Sequence, residues 1–223
     1  MKQFLKAVVC VAVINVSISA EADVIYSQLP TGTGSGRISD RTAGGGGANQ
    51  QADNFSIAAD ASVGSVEVWG FISGATQPLF SNFTIRFFSD TPGAPTANPF
   101  QEYAGLTASS IDTSGFVSGV NSVLHYVINL PTPVSLSAAT PYYLSVLNDT
   151  VGDPGNWAWY SVQDGTGTRW SRVTEGGAWT GPFTANLSFV LNAEAAPEPT
   201  SLLFATLAAG FGVIRARRRK TQG

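Results

Sequence analysis

Residues 65–73 read Ser-Val-Glu-Val-Trp-Gly-Phe-Ile-Ser, and residues 83–89 read Phe-Thr-Ile-Arg-Phe-Phe-Ser. Both stretches alternate in polarity and are rich in β-branched and aromatic residues. This combination is typical of β-strands with one buried face. The two stretches therefore predict neighbouring strands, and they set the fold class expected for the residues around them.

Six further segments have the same composition: residues 24–29, 54–58, 123–130, 141–147, 157–162 and 187–192. Turn-forming residues separate them, such as Asp-Thr-Pro-Gly-Ala-Pro at 90–95, and no amphipathic helix intervenes. Eight strands without helices between them predict antiparallel sheets. We expect an all-β fold, an antiparallel β-sandwich of the jelly-roll kind, over residues 23–196.

Residues 32–48 differ from the rest of this region because they are rich in glycine and serine. So little apolar content predicts a flexible surface loop. A glycine-rich phosphate cradle is the alternative, but it requires a following Gly-Lys-Ser/Thr and a βα unit, and the sequence has neither.

The N-terminus has the organisation of a signal peptide. Lys2 and Lys6 precede an apolar run over residues 7–16, and Ala20 and Ala22 form a small-x-small cleavage site. The run is too short for a permanent membrane anchor. We predict a signal helix over residues 1–22 that is removed to leave Asp23 at the mature N-terminus.

Removal of that segment also removes Cys10, the only cysteine. The mature chain then has no means of forming a disulfide, a cysteine-ligated zinc site or a thiol nucleophile. Residues 23–196 hold five arginines, no lysine and 13 acidic residues, a net charge of −8. An acidic surface of this kind disfavours nucleic acid as a partner and suits a soluble protein outside the cell.

The C-terminus combines three signals in order. Pro197, Glu198 and Pro199 stop any preceding strand, and residues 201–214 are uncharged and mostly apolar. A basic cluster follows, which consists of Arg215, Arg217, Arg218, Arg219 and Lys220. Such a cluster stops transfer and stays on the cytoplasmic side. Fourteen helical residues span about 20 Å of a hydrocarbon core of about 30 Å, so we predict a short transmembrane helix that serves as a transient anchor.

This tail, residues 197–223, resembles the PEP-CTERM sorting signal of exosortase substrates in Gram-negative bacteria. The resemblance rests on Pro197, Glu198 and Pro199, the apolar residues 202–214 and the basic cluster. It implies that exosortase, a membrane-embedded enzyme, recognises the motif and processes the chain near it. It also implies an exported protein, held in the inner membrane with its body in the periplasm and then released to the cell surface or beyond, in association with exopolysaccharide and biofilm.

Residues 50–192 look like a β-sandwich domain that recurs in secreted bacterial proteins with such anchors. The matching residues include Ala52-Asp53-Asn54-Phe55, Val-Glu-Val-Trp-Gly at 66–70 and Pro-Tyr-Tyr-Leu-Ser-Val at 141–146. This resemblance implies the fold and carries no activity to transfer.

Four of the five tryptophans lie close together in the sequence: Trp157, Trp159, Trp170 and Trp179. Flat aromatic rings on a sheet are suited to stacking against sugars, which makes these residues candidates for glycan binding. Trp157 and Trp159 point to the same face of one strand, and that face could equally be the core. Trp170 and Trp179 stand among small and polar residues, so we expect them to be partly exposed.

The residues for catalysis and metal binding are sparse. His125 is the only histidine, it lies in a predicted strand, and no Gly-x-Ser-x-Gly motif accompanies it, so a structural role is expected. Asp149 and Asp153 are a weak calcium candidate, because their segment lacks the EF-hand order and is typical of a loop held by Asx turns. No other cofactor is predicted.

The sequence therefore predicts a non-catalytic protein of the cell surface or extracellular matrix. A carbohydrate-binding module with a tryptophan-rich face is the alternative, and a secreted hydrolase is a distant third.

Overall fold

A computed structural model describes residues 22–32, 34–41, 49–73, 82–150, 155–162 and 167–194. The chain divides into a body, residues 22–194, and a second unit formed by residues 1–21 and 195–223, which lies outside the described residues. The predicted signal and tail helices, Ala20, the sorting motif and the basic cluster all fall in that second unit. Within the described part, no helix is long and apolar enough to cross a bilayer.

Every element of the described body is a β-strand, and the strands form two antiparallel sheets that curl into a half-barrel. The all-β prediction is confirmed. The first sheet contains β1 (Val24–Gln28), β2 (Ser35–Ile38), β4 (Ala61–Ile72), β8 (Ser110–Ser118), β9 (Asn121–Leu136), β11 (Trp157–Val162), β14 (Asn186–Leu187) and β15 (Phe189–Ala193). The second contains β3 (Gln50–Phe55), β5 (Phe83–Thr91), β6 (Ala94–Pro95), β7 (Gln101–Leu106), β10 (Tyr142–Asn148), β12 (Arg169–Arg172) and β13 (Thr180–Phe183).

Strand β4 organises the first sheet because it is long enough to pair with three other strands. Along one edge it pairs with β9, from Ala61 opposite Leu136 to Gly70 opposite Leu124. Along the other edge it pairs first with β15 and then with β11. In the second sheet, β10 lies between β3 and β5.

The main core lies where the inward faces of the two sheets meet. Alternate residues of β5, namely Phe83, Ile85 and Phe87, pack in one cluster with Val66 and Val68 of β4. All five side chains are fully buried. The period of two that identified these strands in the sequence is therefore the period with which they fill the core.

The prediction of a flexible loop over residues 32–48 is wrong for Ser35–Ile38, which form β2 and pair with β11. The cause is packing, because a Cβ on Gly36 would collide with the ring of Phe71, and one on Gly34 would collide with Tyr160. These glycines let two aromatic rings cover the strand, whereas in the sequence they indicated flexibility. Residues 42–48 lie outside the described residues.

Candidate functional site

The sequence placed its candidate glycan platform on four tryptophans, and two of them are core residues. Trp157 and Trp159 on β11 are fully buried between the sheets. Trp157 meets Phe83 edge to face at 5.5 Å, and the Nε1 of Trp159 donates to the carbonyl of Ser188 at 2.9 Å. Neither ring is available at the surface, so the core interpretation holds for both.

The other two tryptophans, Trp170 and Trp179, are partly exposed, as predicted, on the outer face of the second sheet. There they pack beside Phe88 and Tyr143 in a small satellite cluster. Phe88 meets Trp179 edge to face at 5.4 Å, and the guanidinium carbon of Arg172 lies 4.3 Å from the centre of the Trp179 ring. One face of Trp179 is thus already occupied by a cation.

A network of charges holds the segment between β12 and β13 against the same outer face. Arg86 on β5 is buried and forms ion pairs with Glu102 at 2.9 Å and with Glu175 at 3.0 Å. Glu175 also pairs with Arg41 at 2.7 Å. Burial alone would raise the pKa of Glu175, but hydrogen bonds from Arg41 and Arg86 hold that pKa below its ordinary value. Trp179 and Glu175 therefore fasten this segment to the sheet, which is a structural role.

His125 lies on the outer face of the first sheet with partners that fix its ring. Its Nε2 is 2.7 Å from Oε2 of Glu67, and its ring stacks on Trp69 with centroids 4.4 Å apart. The other oxygen of Glu67 accepts from Nδ2 of Asn192 at 2.8 Å. These contacts fix His125 through two residues of β4, the strand that pairs with β9 at this position.

Of the two aspartates in the calcium candidate, Asp149 belongs to the described residues and Asp153 lies outside them. The backbone N–H of Asp149 donates to the carbonyl of Asn82 at 2.9 Å, which ties the end of β10 to the start of β5. Among the described residues, no three or more histidine, cysteine, aspartate or glutamate side chains are grouped closely enough to hold a metal ion.

Asp53 on β3 is a buried carboxyl group that was not among the site residues predicted from the sequence. Its side chain points between the sheets and accepts hydrogen bonds from the backbone N–H of Leu187 at 2.5 Å, from Nε2 of Gln28 at 2.7 Å and from the N–H of Asn54 at 3.1 Å. Burial raises the pKa of Asp53 to about 7 despite these three donors and the nearby charge of Arg169. The signal available in the sequence for a buried carboxyl group was an acidic residue between Ala52 and Phe55.

A polar surface cleft of about 530 Å³ lies beside this carboxyl group, where β1, β3 and β11 end. Its walls carry hydroxyl and amide groups from Ser27, Thr31, Asn54, Ser56 and Asn186, together with the rings of Tyr26 and Phe55. Every one of these groups is uncharged. Neutral donors and acceptors beside aromatic rings suit an uncharged polar ligand such as a sugar.

Gln28 links the cleft to the buried carboxyl group. Its Oε1 accepts from the hydroxyl of Tyr26 at 3.0 Å, and its Nε2 donates both to Asp53 and to the carbonyl of Leu187. The side-chain amide of Gln28 thus makes three hydrogen bonds, and these fix its orientation. The cleft has one rigid wall before any ligand arrives, which lowers the entropic cost of binding.

In comparisons with known proteins, the chain matches no family model and no curated protein.

Proposed function

We propose that this chain is an exported, non-catalytic protein of the bacterial cell surface or extracellular matrix, processed at both ends. A signal peptidase removes residues 1–22, and an exosortase acts at Pro197, Glu198 and Pro199 of the PEP-CTERM tail. The apolar residues 202–214 and the basic cluster hold the precursor in the inner membrane until then. The finer description of the fold, a jelly-roll-like antiparallel sandwich, belongs to the same proposal and is supported by the core that the two sheets share.

The observation that carries the proposal is the pairing of the first and last strands. Val24 of β1 pairs with Asn192 of β15, and the N–H of Ala193 donates to the carbonyl of Asp23 at 2.8 Å. The folded body thus begins directly after the predicted signal cleavage and ends before the sorting motif. Cleavage at either predicted position removes no strand residue. A protein that loses both termini during maturation requires this, because its fold must remain stable after processing.

The non-catalytic part of the proposal is supported by the surroundings of the groups that catalysis would need. His125 is stacked on Trp69 and paired with Glu67, and the cleft offers neutral groups in place of an acid and a base. A hydrolytic activity of the purified protein that disappeared in His125→Ala would contradict this part.

A carbohydrate-binding module remains the second candidate, and the cleft is the observation that favours it. The tryptophan platform has weaker support, since Trp157 and Trp159 are buried and Trp179 is covered by Arg172. A glycan array with the wild-type protein and two variants separates the two locations. Asn54→Ala alters the cleft, and Trp179→Ala alters the outer face. Loss of binding in only one variant identifies the location of the site. Exopolysaccharide would be the natural ligand.

Sorting is tested by expressing the full chain in hosts with and without exosortase. The variant with alanines at Pro197, Glu198 and Pro199 should remain as precursor in the membrane fraction, because the apolar helix can then extend upstream and bury the processing region. Replacement of Arg215, Arg217, Arg218 and Arg219 by glutamine should weaken the stop, so that protein appears in the medium with its tail. Glu194→Ala, just outside the motif, is the control. An alanine variant that matured like wild type would exclude exosortase sorting.

A further inference from the structure

Two arginines face the interior from opposite sheets at one edge of the body. Arg37 on β2 pairs with Trp159, and because paired residues share a face and Trp159 points into the core, Arg37 points inward as well. Arg169 on β12 precedes Trp170, which lies on the outer face, so Arg169 points inward from the second sheet. The two guanidinium groups thus approach the same space between β2 and β12.

Gln51 holds this arrangement in place. Its Oε1 accepts from Nη1 of Arg169, and its Nε2 donates to the carbonyl of Ile38 at 2.8 Å, one residue from Arg37. The ring of Phe183 lies 4.5 Å from the guanidinium carbon of Arg169 and covers one of its faces.

Neither arginine has a carboxylate partner among the described residues, although the body is strongly acidic. The ion pairs of the described part use Arg41, Arg86 and His125 as their cations. The Nε atoms of Arg37 and Arg169 are buried and have no hydrogen-bond partner in the described chain, and Arg169 is only 6% exposed. A buried cation without a counter-ion is costly, and a second one nearby adds repulsion.

The electrostatics agree with this geometry. Burial, and after it the charge of Arg37, lowers the pKa of Arg169 to about 10. Asp53 acts in the opposite direction, but its carboxyl already accepts three hydrogen bonds, and burial raises its own pKa to about 7. The pair therefore carries positive charge that the described residues leave largely uncompensated.

We propose that Arg37 and Arg169, positioned by Gln51, form a binding site for an oxyanion: a carboxylate, sulfate or phosphate group. Guanidinium groups bind such groups through two parallel N–H donors, and the donors here include two buried Nε atoms without partners. Arg37 is partly exposed, which gives a ligand access from the β2 edge. The ligand is either a free inorganic anion or the carboxylate of an acidic sugar in a polysaccharide.

The test measures the thermal unfolding of the full-length chain in a mild detergent, at constant ionic strength. Sodium phosphate, sodium sulfate, glucuronate and polygalacturonate are titrated against sodium chloride. A specific anion should raise Tm in a saturable manner, by roughly 3–6 °C at ten times its Kd. Saturation by glucuronate and polygalacturonate indicates an acidic polysaccharide as the source, whereas saturation by phosphate or sulfate alone indicates an inorganic anion.

The variants decide whether the effect belongs to this site, because sulfate also stabilises proteins through exclusion from their surfaces. Arg37→Gln and Arg169→Gln should abolish the saturable increase in Tm. The control is Arg41→Gln, which should retain it, because Arg41 forms an ion pair with Glu175 outside the proposed site. If Arg169→Gln fails to fold, the partly exposed Arg37 still provides the test. Equal shifts in wild type and Arg37→Gln would overturn the proposal, as would the absence of any saturable shift.

A further variant separates an external anion from an internal one. Asp164 is the only acidic residue in the segment that joins β11 to β12. If Asp164→Asn binds anions and wild type does not, the arginines serve an internal ion pair, and the proposed site is refuted.

Discussion

The backbone N–H of Ala193 donates to the carbonyl of Asp23 at 2.8 Å, which places the last strand residue of the body beside the first residue expected after signal cleavage. The next pair inward, Val24 and Asn192, continues this contact as a strand pairing. Antiparallel pairing with β15 places β1 at the edge of the first sheet, beside the two residues that join the body to the predicted processing segments. A cut at the predicted positions would leave both terminal strands intact, whereas a cut further inside the body would remove residues of this strand pair.

A chain that begins at Asp23 should be as stable as one that retains residues 1–22, whereas a chain that begins at Leu29 should be less stable by about 3–5 kcal/mol. The shorter chain loses the ring of Tyr26, stacked on Phe189 at 5.2 Å, and the hydrogen bond from Gln28 to Asp53. Urea denaturation of the two truncated chains gives the difference directly. Equal midpoints would mean that β1 contributes nothing to the stability of the body.

The raised pKa of Asp53 predicts that stability falls as the pH rises. The native protein keeps the proton of Asp53 up to about pH 7, while the unfolded chain releases it near pH 4, so the native state binds more protons in between. The free energy of unfolding should decline across that window, by on the order of 3–4 kcal/mol for this group, and be flat above it.

Asp53→Asn should remove that decline, since an amide cannot titrate. Asp112→Asn, which alters an exposed aspartate of β8, should leave it intact. Urea unfolding at several pH values from 4 to 8 measures the slope of each variant. A decline of wild-type size in Asp53→Asn would assign the pH dependence to another group.

The four clustered tryptophans should differ in energetic importance according to their burial. Trp159→Ala removes a fully buried ring and should cost about 3–5 kcal/mol. Trp179→Ala removes a partly exposed ring and its 3.0 Å hydrogen bond to the carbonyl of Thr96, for about 1–2 kcal/mol. Chemical denaturation ranks the two variants, and the reverse order would be incompatible with Trp159 as a core residue.

Much of the fold could be predicted from the sequence because its central strands keep one face in the core. The alternation in residues 65–73 and 83–89 corresponds to β4 and β5, which supply Val66, Val68 and Phe83 to that core. Strand β2 could not be recognised, since Gly34 and Gly36 owe their role to rings from distant strands. The composition of residues 32–48 alone cannot predict contacts with residues that are distant in the sequence.

The candidate sites were less predictable for a related reason. Asp53, Gln28, Arg37 and Arg169 come from four strands, and each is a single polar residue without a spacing pattern. The register of the sheets brings Gln28 to Asp53 across 25 residues of sequence and Arg169 to Gln51 across 118. The two-residue spacing of Trp157 and Trp159 fits either an exposed glycan-binding platform or a buried core position. Only the packing of the second sheet against this face shows that the two rings are core residues.

The charge network on the outer face should respond to the loss of Glu175. Glu175→Gln breaks the ion pairs with Arg41 and Arg86, so it should lower stability by about 1 kcal/mol at low salt, and by less as salt rises. The control is Glu194→Gln, an exposed residue whose described hydrogen bond uses only its backbone. A loss in Glu175→Gln no larger than in the control would show that the network does not hold the segment between β12 and β13.

The most direct test of processing at both ends is intact-mass spectrometry of the protein isolated from hosts with and without exosortase. In the exosortase-positive host, the mature protein should begin at Asp23 and lack the apolar residues 202–214 and the basic cluster. In the exosortase-negative host, the same N-terminus should be joined to an intact tail that ends at Gly223. A mass corresponding to residues 23–223 in both hosts would contradict the account, because the tail would then be an ordinary membrane anchor.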